Sequence, residues 1–318
     1  MTDKITNEKP EEMNEITKKL LALISDWDGN YKGAYSIRVD GSCIGKLSSE
    51  HISVKAKEDG KPGLDIIVDA GTKDEKVSIP ACVTHGGEDD IVYNDFYIGD
   101  DSDITIMAGC GVHNENGELA RHNGIHRFFL GKNSKVKYIE KHIGTGKGDG
   151  IRSIDPVTEV SLDEGSLLDM DTAQIGGVDK SVRTTRGVVG KGAKLIIRER
   201  IMTEKEQTAT TEFNVEMNGE GSGVDLISRS VAKDNSYQSY HSVIVGNAKC
   251  TGHSECDAIL SGNGHVDAAP ELKARCEDAS LIHEAAIGKI AGEQILKLRT
   301  LGLTEEEAEA TIVEGFLS

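Results

Sequence analysis

One short phrase returns six times through the middle of this chain, and its spacing restricts the fold more than any other feature. It reads GDDSDITI from Gly99, GKNSKVKY from Gly131, DEGSLLDM from Asp163, GKGAKLII from Gly190, GEGSGVDL from Gly219 and GNAKCTGH from Gly246. The steps between starts are 32, 32, 27, 29 and 27 residues. A second β-type run precedes most copies: IHRFFL, VTEVSL, TRGVV, FNVEM and YHSVIV. The unit is therefore strand, tight turn, strand and a longer connection, with no helical segment inside it. Repeats of this length mark solenoids, propellers or arrays. No four-strand blade signature is present, so the spacing predicts a parallel β-helix with coils of 27–32 residues. A β-sandwich also has short strands but does not require so constant a step.

The two ends read differently. Residues 10–28 carry Met13, Ile16, Leu20, Leu23, Ile24 and Trp27 at three- and four-residue steps, an amphipathic helix. Pro10, Glu11 and Glu12 suit its first turn and Gly29 its end. Trp27, the sole tryptophan, is expected to anchor packing rather than bind a ligand. From about residue 34 to Gly288 the period is that of strands. A helical period then returns in GEQILKLRTLG and in TEEEAEATIVEGF, where Thr304 and Glu307 form a capping box. The expected organisation is a helical segment at 1–33, a mainly β, parallel β-helix core at 34–288 and a helical pair at 289–318. From pattern alone the simpler use of that pair is to cap the last rung, with Ala308, Ile312, Val313 and Phe316 as the inner stripe of its second helix. A docking surface for another protein is the alternative.

Charge and composition narrow the function classes. Lys plus Arg total 36 against 54 Asp plus Glu, a formal charge of −18. Such a surface repels nucleic-acid phosphates and anionic membranes, so neither is an expected partner. No apolar run approaches the roughly 20 residues of a membrane span, and MTDKITNEKPEE lacks the apolar region of a secretory signal. Six cysteines in a chain of 318 residues are no small disulfide framework. The expected compartment is the cytoplasm, where they remain thiols.

Three of those cysteines lie between Cys250 and Gly288, with His253, His265 and His283. Thiolate, imidazole and carboxylate bind borderline metals, but the spacing matches no zinc finger or ferredoxin run. In a β-helix, residues one coil apart stack about 4.8 Å apart. Cys256 and His283 differ by 27 residues, and Cys250 and Cys276 by 26, so each pair is expected to stack. Glu284 shares a face with His283 only if a bulge intervenes. The plain alternative is that these cysteines are small core residues. A second group holds Cys110, His113, His122, His126 and His142, with Cys110 and His142 one local step apart. A cytosolic metalloenzyme built on Cys110, His113 and His142 is one reading, and imidazoles bonded to backbone are the other. GTGKGDG at 144–150 lacks the phosphate-loop pattern, and neither G-x-S-x-G nor H-E-x-x-H occurs.

Several stretches resemble the SufB/SufD proteins: AGCGVHN at 108–114, GIHRFFLGKNSKVKYIEKHIGTG at 124–146 and SRSVAKDNSYQSY at 228–240. The likeness is strongest in GHSECDAI at 252–259, PEL at 270–272 and LIHEAAIGKIAGEQILKLRTLGLTEEEAEATIVEGF at 281–316. It spans roughly residues 95–318 and looks like the short archaeal or minimal type. It implies a right-handed parallel β-helix between helical ends, and a scaffold for iron–sulfur cluster assembly that is not itself an enzyme. It also implies pairing with a second such chain through the end of the β-helix, here as a homodimer. The C-terminal helices would then dock a SufC-like ABC ATPase rather than cap the solenoid. The expected metal-binding residues are Cys256, His283, Glu284 and Cys276, receiving a transient iron–sulfur cluster, with no nucleotide on this chain. A functional cysteine of SufB aligns with Ala274; Cys276 stands two residues on, an even shift that would keep its strand face. A sulfur donor and apo-protein acceptors complete the implied partners. A SufD-like structural role, with the ligands on the other chain, is the remaining alternative.

Overall fold

The computed structural model describes residues 13–25, 27–29 and 31–318. Its first element is helix α1 (Glu15–Ser25), opened by Asn14, whose Oδ1 accepts from the Thr17 amide at 2.8 Å. The expected helix began at residue 10; Pro10, Glu11 and Glu12 lie outside the described residues. Leu20, Leu21 and Ile24 form its buried side and Trp27 packs against them, whereas Ile16 and Leu23 of the expected stripe are exposed.

Two antiparallel hairpins follow, β1 (Ala34–Val39) with β2 (Ser42–Leu47) and β3 (Ile52–Ala56) with β4 (Gly63–Val68). Then the winding begins: β5 (Lys73–Val83), β6 (Asp89–Ile98), β7 (Asp103–His113), β8 (Ala120–Leu130) and β9 (Lys135–Thr145). It continues through β10 (Arg152–Ile154), β11 (Val157–Leu162), β12 (Leu167–Ile175), β13 (Lys180–Val189), β14 (Lys194–Thr203) and β15 (Thr208–Met217). The last strands are β16 (Ser222–Ala232), β17 (Tyr237–Gly246), β18 (Cys250–Leu260), β19 (His265–Ala274) and β20 (Ser280–Lys289). The result is mainly β, a β-solenoid of about 8 turns. One sheet stacks β5, β7, β9, β12, β14, β16, β18 and β20 in parallel, extended by the β1–β2 hairpin. The other stacks β6, β8, β10 with β11, β13, β15, β17 and β19, preceded by β4 and β3.

The repeat in the sequence is the register of the first sheet. Asp103, Lys135, Leu167, Lys194 and Gly223 lie in ladder, at steps of 32, 32, 27 and 29 residues. The recurring phrase is the tight turn before each of these strands. Asp101, Asn133, Gly165, Gly192 and Gly221 all take left-handed backbone there, a conformation that Gly, Asn and Asp tolerate best. Next to them, Ser102, Ser134, Ser166 and Ser222 each donate from the hydroxyl to the carbonyl three residues back, at 2.6–2.8 Å. Between the sheets runs one apolar core, in which Phe96 and Phe128 stack at 4.6 Å beside Tyr138.

Helices α2 (Gly292–Thr300) and α3 (Glu305–Phe316) do not cover the last rung. The capping box of Thr304 and Glu307 forms as read. However, Val313 and Leu317 pack on Val231, beside Met202 and Ile259, on the outer face of the first sheet. The expected cap is therefore corrected: α3 lies along the side of the solenoid, and Ala308 and Val313 of its stripe are buried in their own chain.

Helix α1 lies on the outer face of the same sheet near its beginning. A Cβ at Gly109 would stand 2.4 Å from the Ile24 carbonyl oxygen, and one at Gly111 would press on Leu20. The glycines of AGCGVHN thus permit close helix–sheet approach. Gly109→Val should cost about 1–3 kcal/mol through overpacking. A lowered thermal-unfolding midpoint by circular dichroism is expected, and an unchanged one would mean that α1 is not seated there.

Candidate functional site

The C-terminal coil is where the solenoid stops without being closed. β19 and β20 are the last strands of their sheets, so each ten-residue strand has one edge without a ladder partner among the described residues. Their inward positions continue the core columns: Leu272 lies beside Ile244, and Leu281, His283, Ala285 and Ile287 lie beside Gly252, Ser254, Cys256 and Ala258. Among the described residues no further coil stacks on them, and Leu272 is 38 % and Ile287 41 % exposed although both face the axis. Among these side chains His283 Nδ1 is buried and has no hydrogen-bond partner. Buried imidazole nitrogens are ordinarily hydrogen-bonded, so this one stands out on the open coil.

The register alters the expected stacking. The local coil is 29 residues, with Thr251 beside Ser280, so His283 lies beside Ser254 and Ala285 beside Cys256. Because the slip is two residues, Cys256 and His283 still share the inward face, as diagonal rather than direct neighbours. Glu284 lies beside Glu255 on the outward face. No bulge interrupts that ladder, so within one chain Glu284 does not join His283. Cys276 is in the turn after β19, which ends at Ala274; the argument from an even strand shift does not apply to it. Cys250 adjoins the same corner: its Sγ lies 2.9 Å from where a Gly246 Cβ would stand, and Cys276 raises its pKa, after burial as the main cause. The structure thus gathers Cys250 with Cys276 at a corner, and Cys256 with His283 on the inner face. Among the described residues no three of His, Cys, Asp and Glu meet as one metal-binding group.

Behind the open coil the core is polar along a line that sequence reading missed. Arg183, fully enclosed, donates to Glu140 Oε2 at 2.8 Å and to His142 Nδ1 at 3.2 Å, and pairs with Glu199 at 3.1 Å. Tyr138 donates to Glu140, and Thr211 and Ser228 donate to Glu199, at 2.8, 3.1 and 3.2 Å. Burial alone would raise both carboxyls; the neighbouring His142 and Arg183 hold Glu140 well below its ordinary range, while Glu199 remains raised. Cys256, 1 % exposed, is pushed up to about 12 by burial and then by Glu199 and Asp257. Of the second group, Cys110 and His142 do lie in ladder. His113 does not join them: it has the other strand parity and bonds Thr145 at 2.9 Å. The Cys110/His113/His142 reading is corrected accordingly.

These thiols should differ in reactivity. The raised pKa of Cys256 leaves little thiolate at neutral pH, and that fraction grows about tenfold per pH unit up to about 12. Iodoacetamide followed by peptide mass spectrometry is expected to label exposed Cys43 and half-buried Cys276 first. Labelling of Cys256 should climb with pH; equal labelling of all three at neutral pH would contradict its enclosure.

Comparison with known proteins points the same way. The family model for the SUF system FeS cluster assembly SufBD core domain matches residues 90–316. An iron–sulfur cluster assembly SufBD family protein of Methanocaldococcus jannaschii is 31 % identical over 99 % of this chain and 95 % of its own length. Relatives of the same description in Archaeoglobus fulgidus and Methanothermobacter thermautotrophicus are 32 % and 28 % identical over 76 % and 77 % of this chain. The chain spans 65 % and 60 % of those two, respectively. With the solenoid, its terminal coil and these matches together, the chain belongs to the SufBD family of iron–sulfur cluster assembly proteins.

Proposed function

We propose that this chain is the scaffold on which a nascent iron–sulfur cluster is built, in the cytoplasm, where the open coil of one copy meets that of another. The observation that carries this is the buried, unpartnered His283 Nδ1 on a coil whose core and edges are uncovered. A second copy supplies what one chain lacks: ladder partners for β19 and β20 and cover for Leu272 and Ile287. It also supplies further donors beside His283, Cys256 and Cys276, and a second Glu284. Imidazole and thiolate suit iron and its sulfide-bridged clusters. The cluster is cargo, received from sulfur and iron donors and passed to apo-proteins. The chain itself turns over no substrate and holds no nucleotide.

The driving partner is an ABC-type ATPase resembling SufC, docked on the C-terminal helices. Since α3 buries Ala308 and packs Val313 on its own solenoid, the docking face belongs to α2 and its end. There Leu296 is 61 % and Leu301 73 % exposed, and α2 has no buried residue. Each leucine contributes about 1.5–3 kcal/mol when fully buried. ATP-driven closure of two such subunits would strain the paired coils and release the cluster.

Anaerobic reconstitution with iron and sulfide tests the site. Cys256→Ser and His283→Ala are each expected to lower loading more than about tenfold with the solenoid intact, and Cys276→Ala to lower it as well. Normal iron and sulfide in both of the first two variants would remove the assignment. Independently, Leu296→Glu with Leu301→Glu should abolish co-purification with the ATPase while leaving cluster loading unchanged; undiminished ATPase binding would move the docking face elsewhere.

A further inference from the structure

At the opposite end of the solenoid lies a largely enclosed cavity of about 300 Å³, between the two N-terminal hairpins and strands β5 to β8. Its inner wall is formed by His122 and His126 of β8, Asn94 of β6 and Cys110 of β7. The two histidines occupy alternate inward positions of β8, on either side of Gly124. Their Nε2 atoms lie 3.4 and 3.3 Å from the point where a Gly124 Cβ would stand, so both lean over the one residue that leaves the space open.

The hydrogen bonds behind the rings fix which nitrogen is free. His122 Nδ1 lies 3.0 Å from the Asp90 carboxylate, which only accepts, so Nδ1 carries the proton. His126 Nδ1 lies 2.8 Å from the Tyr138 hydroxyl, which spends its own proton on Glu140 and therefore accepts from the ring. In each neutral ring the lone pair is then on Nε2, facing the gap. Asn94 makes a long 3.3 Å donation to His126 Nε2, and its Oδ1 is buried without a partner. Arg38 on the wall is engaged by Asp90 through three contacts of 2.6–3.1 Å. What converges on the gap is two imidazole nitrogens and the Asn94 amide, whose nitrogen faces His126 Nε2, beside a thiol.

We infer that this N-terminal chamber is a second, separate metal site, in which His122 and His126 bind one borderline divalent ion of the Zn²⁺ or Fe²⁺ type over Gly124. Asn94, its amide turned over so that the unpartnered Oδ1 faces the ion, and water complete the coordination, with Cys110 in reserve. Imidazole pairs select such ions over Mg²⁺ and Ca²⁺, which need oxygen. The Asp90 and Tyr138 bonds are the outer partners that metal-bound histidines use to hold tautomer and orientation. Binding would draw the rings inward, towards the roughly 2.0–2.1 Å of a zinc–nitrogen bond, and displace the long Asn94 contact. Lys46, on the β2 side of the chamber, has no carboxylate partner among the described residues, so its charge opposes the ion.

Calorimetric titration of the metal-free full chain with Zn²⁺ tests this, in a His283→Ala background so that the far end does not contribute. One zinc per chain is expected, and no comparable uptake of Mg²⁺. Gly124→Ala, which puts a methyl group between the rings, and His126→Ala should each weaken binding by at least about tenfold, and Tyr138→Phe by about 10–100-fold. Lys46→Met should tighten it, a change that a purely structural histidine pair would not produce. Circular dichroism establishes that each variant is folded. If His126→Ala fails to fold, Gly124→Ala and Lys46→Met decide the matter. No saturable zinc binding, or zinc bound equally by parent, Gly124→Ala and Lys46→Met chains, would overturn the site.

Discussion

A parallel ladder never completes itself. Each coil of this solenoid has its backbone donors and acceptors met by the coils before and after it, and the final coil must leave one row unmet in each sheet. The two ends handle this differently. At the start, the chain turns to antiparallel hairpins whose outermost strands, β2 and β3, have six and five residues, with a bulge in the first hairpin. Short, irregular edges of that kind discourage pairing. At the other end, β19 and β20 run for ten residues each to an uncovered core. Helices were available to cover it, yet α3 lies along the side of the first sheet instead. An end left open in this way is what the proposed pairing with a second copy would cover.

The polar line inside the solenoid prepares that end. One guanidinium, Arg183, serves two carboxylates, from strands β9 and β14 on either side of β12 in the opposite sheet, with hydroxyl donors meeting the remaining oxygens. Removing one partner of such a buried group typically costs about 3–5 kcal/mol, so these residues hold one another in place. Their position also matters to chemistry. The Glu199 charge adds to burial in keeping the Cys256 thiol protonated. A thiol in that state is protected from casual oxidation and becomes a ligand when a metal displaces its proton.

Much of this was legible in the sequence, for identifiable reasons. The turns before β7, β9, β12, β14 and β16 each take a residue tolerant of left-handed backbone, followed in four of the five by a serine, which is why the phrase recurs at the coil length. The capping box at Thr304 and Glu307 depends only on neighbouring residues and formed as read. Contacts depending on a turn's exact length were not legible. Two extra residues in the last coil moved His283 from beside Cys256 to beside Ser254 and set Cys276 in a turn. Nor did the pattern reveal that α3 would use a flank of the sheet, since an apolar stripe does not name its partner. Arg183 and Glu199 fall at inward positions of β13 and β14, but alternating charge reads first as a solvated face. Strand parity, counted from the turn, was the signal that would have found them.

The central claim is that the open coil is completed by a second copy and that the cluster forms only there. Sedimentation equilibrium on the anaerobically reconstituted chain, with iron and sulfide measured on the same sample, tests it most directly. The comparison is a variant carrying Leu272→Glu and Ile287→Glu, which sets like charges face to face across the coil without touching a candidate ligand. The parent should be a dimer that retains iron and sulfide, and the folded variant a monomer that has lost both. A folded monomer, parent or variant, that holds its full complement of iron and sulfide would contradict the account.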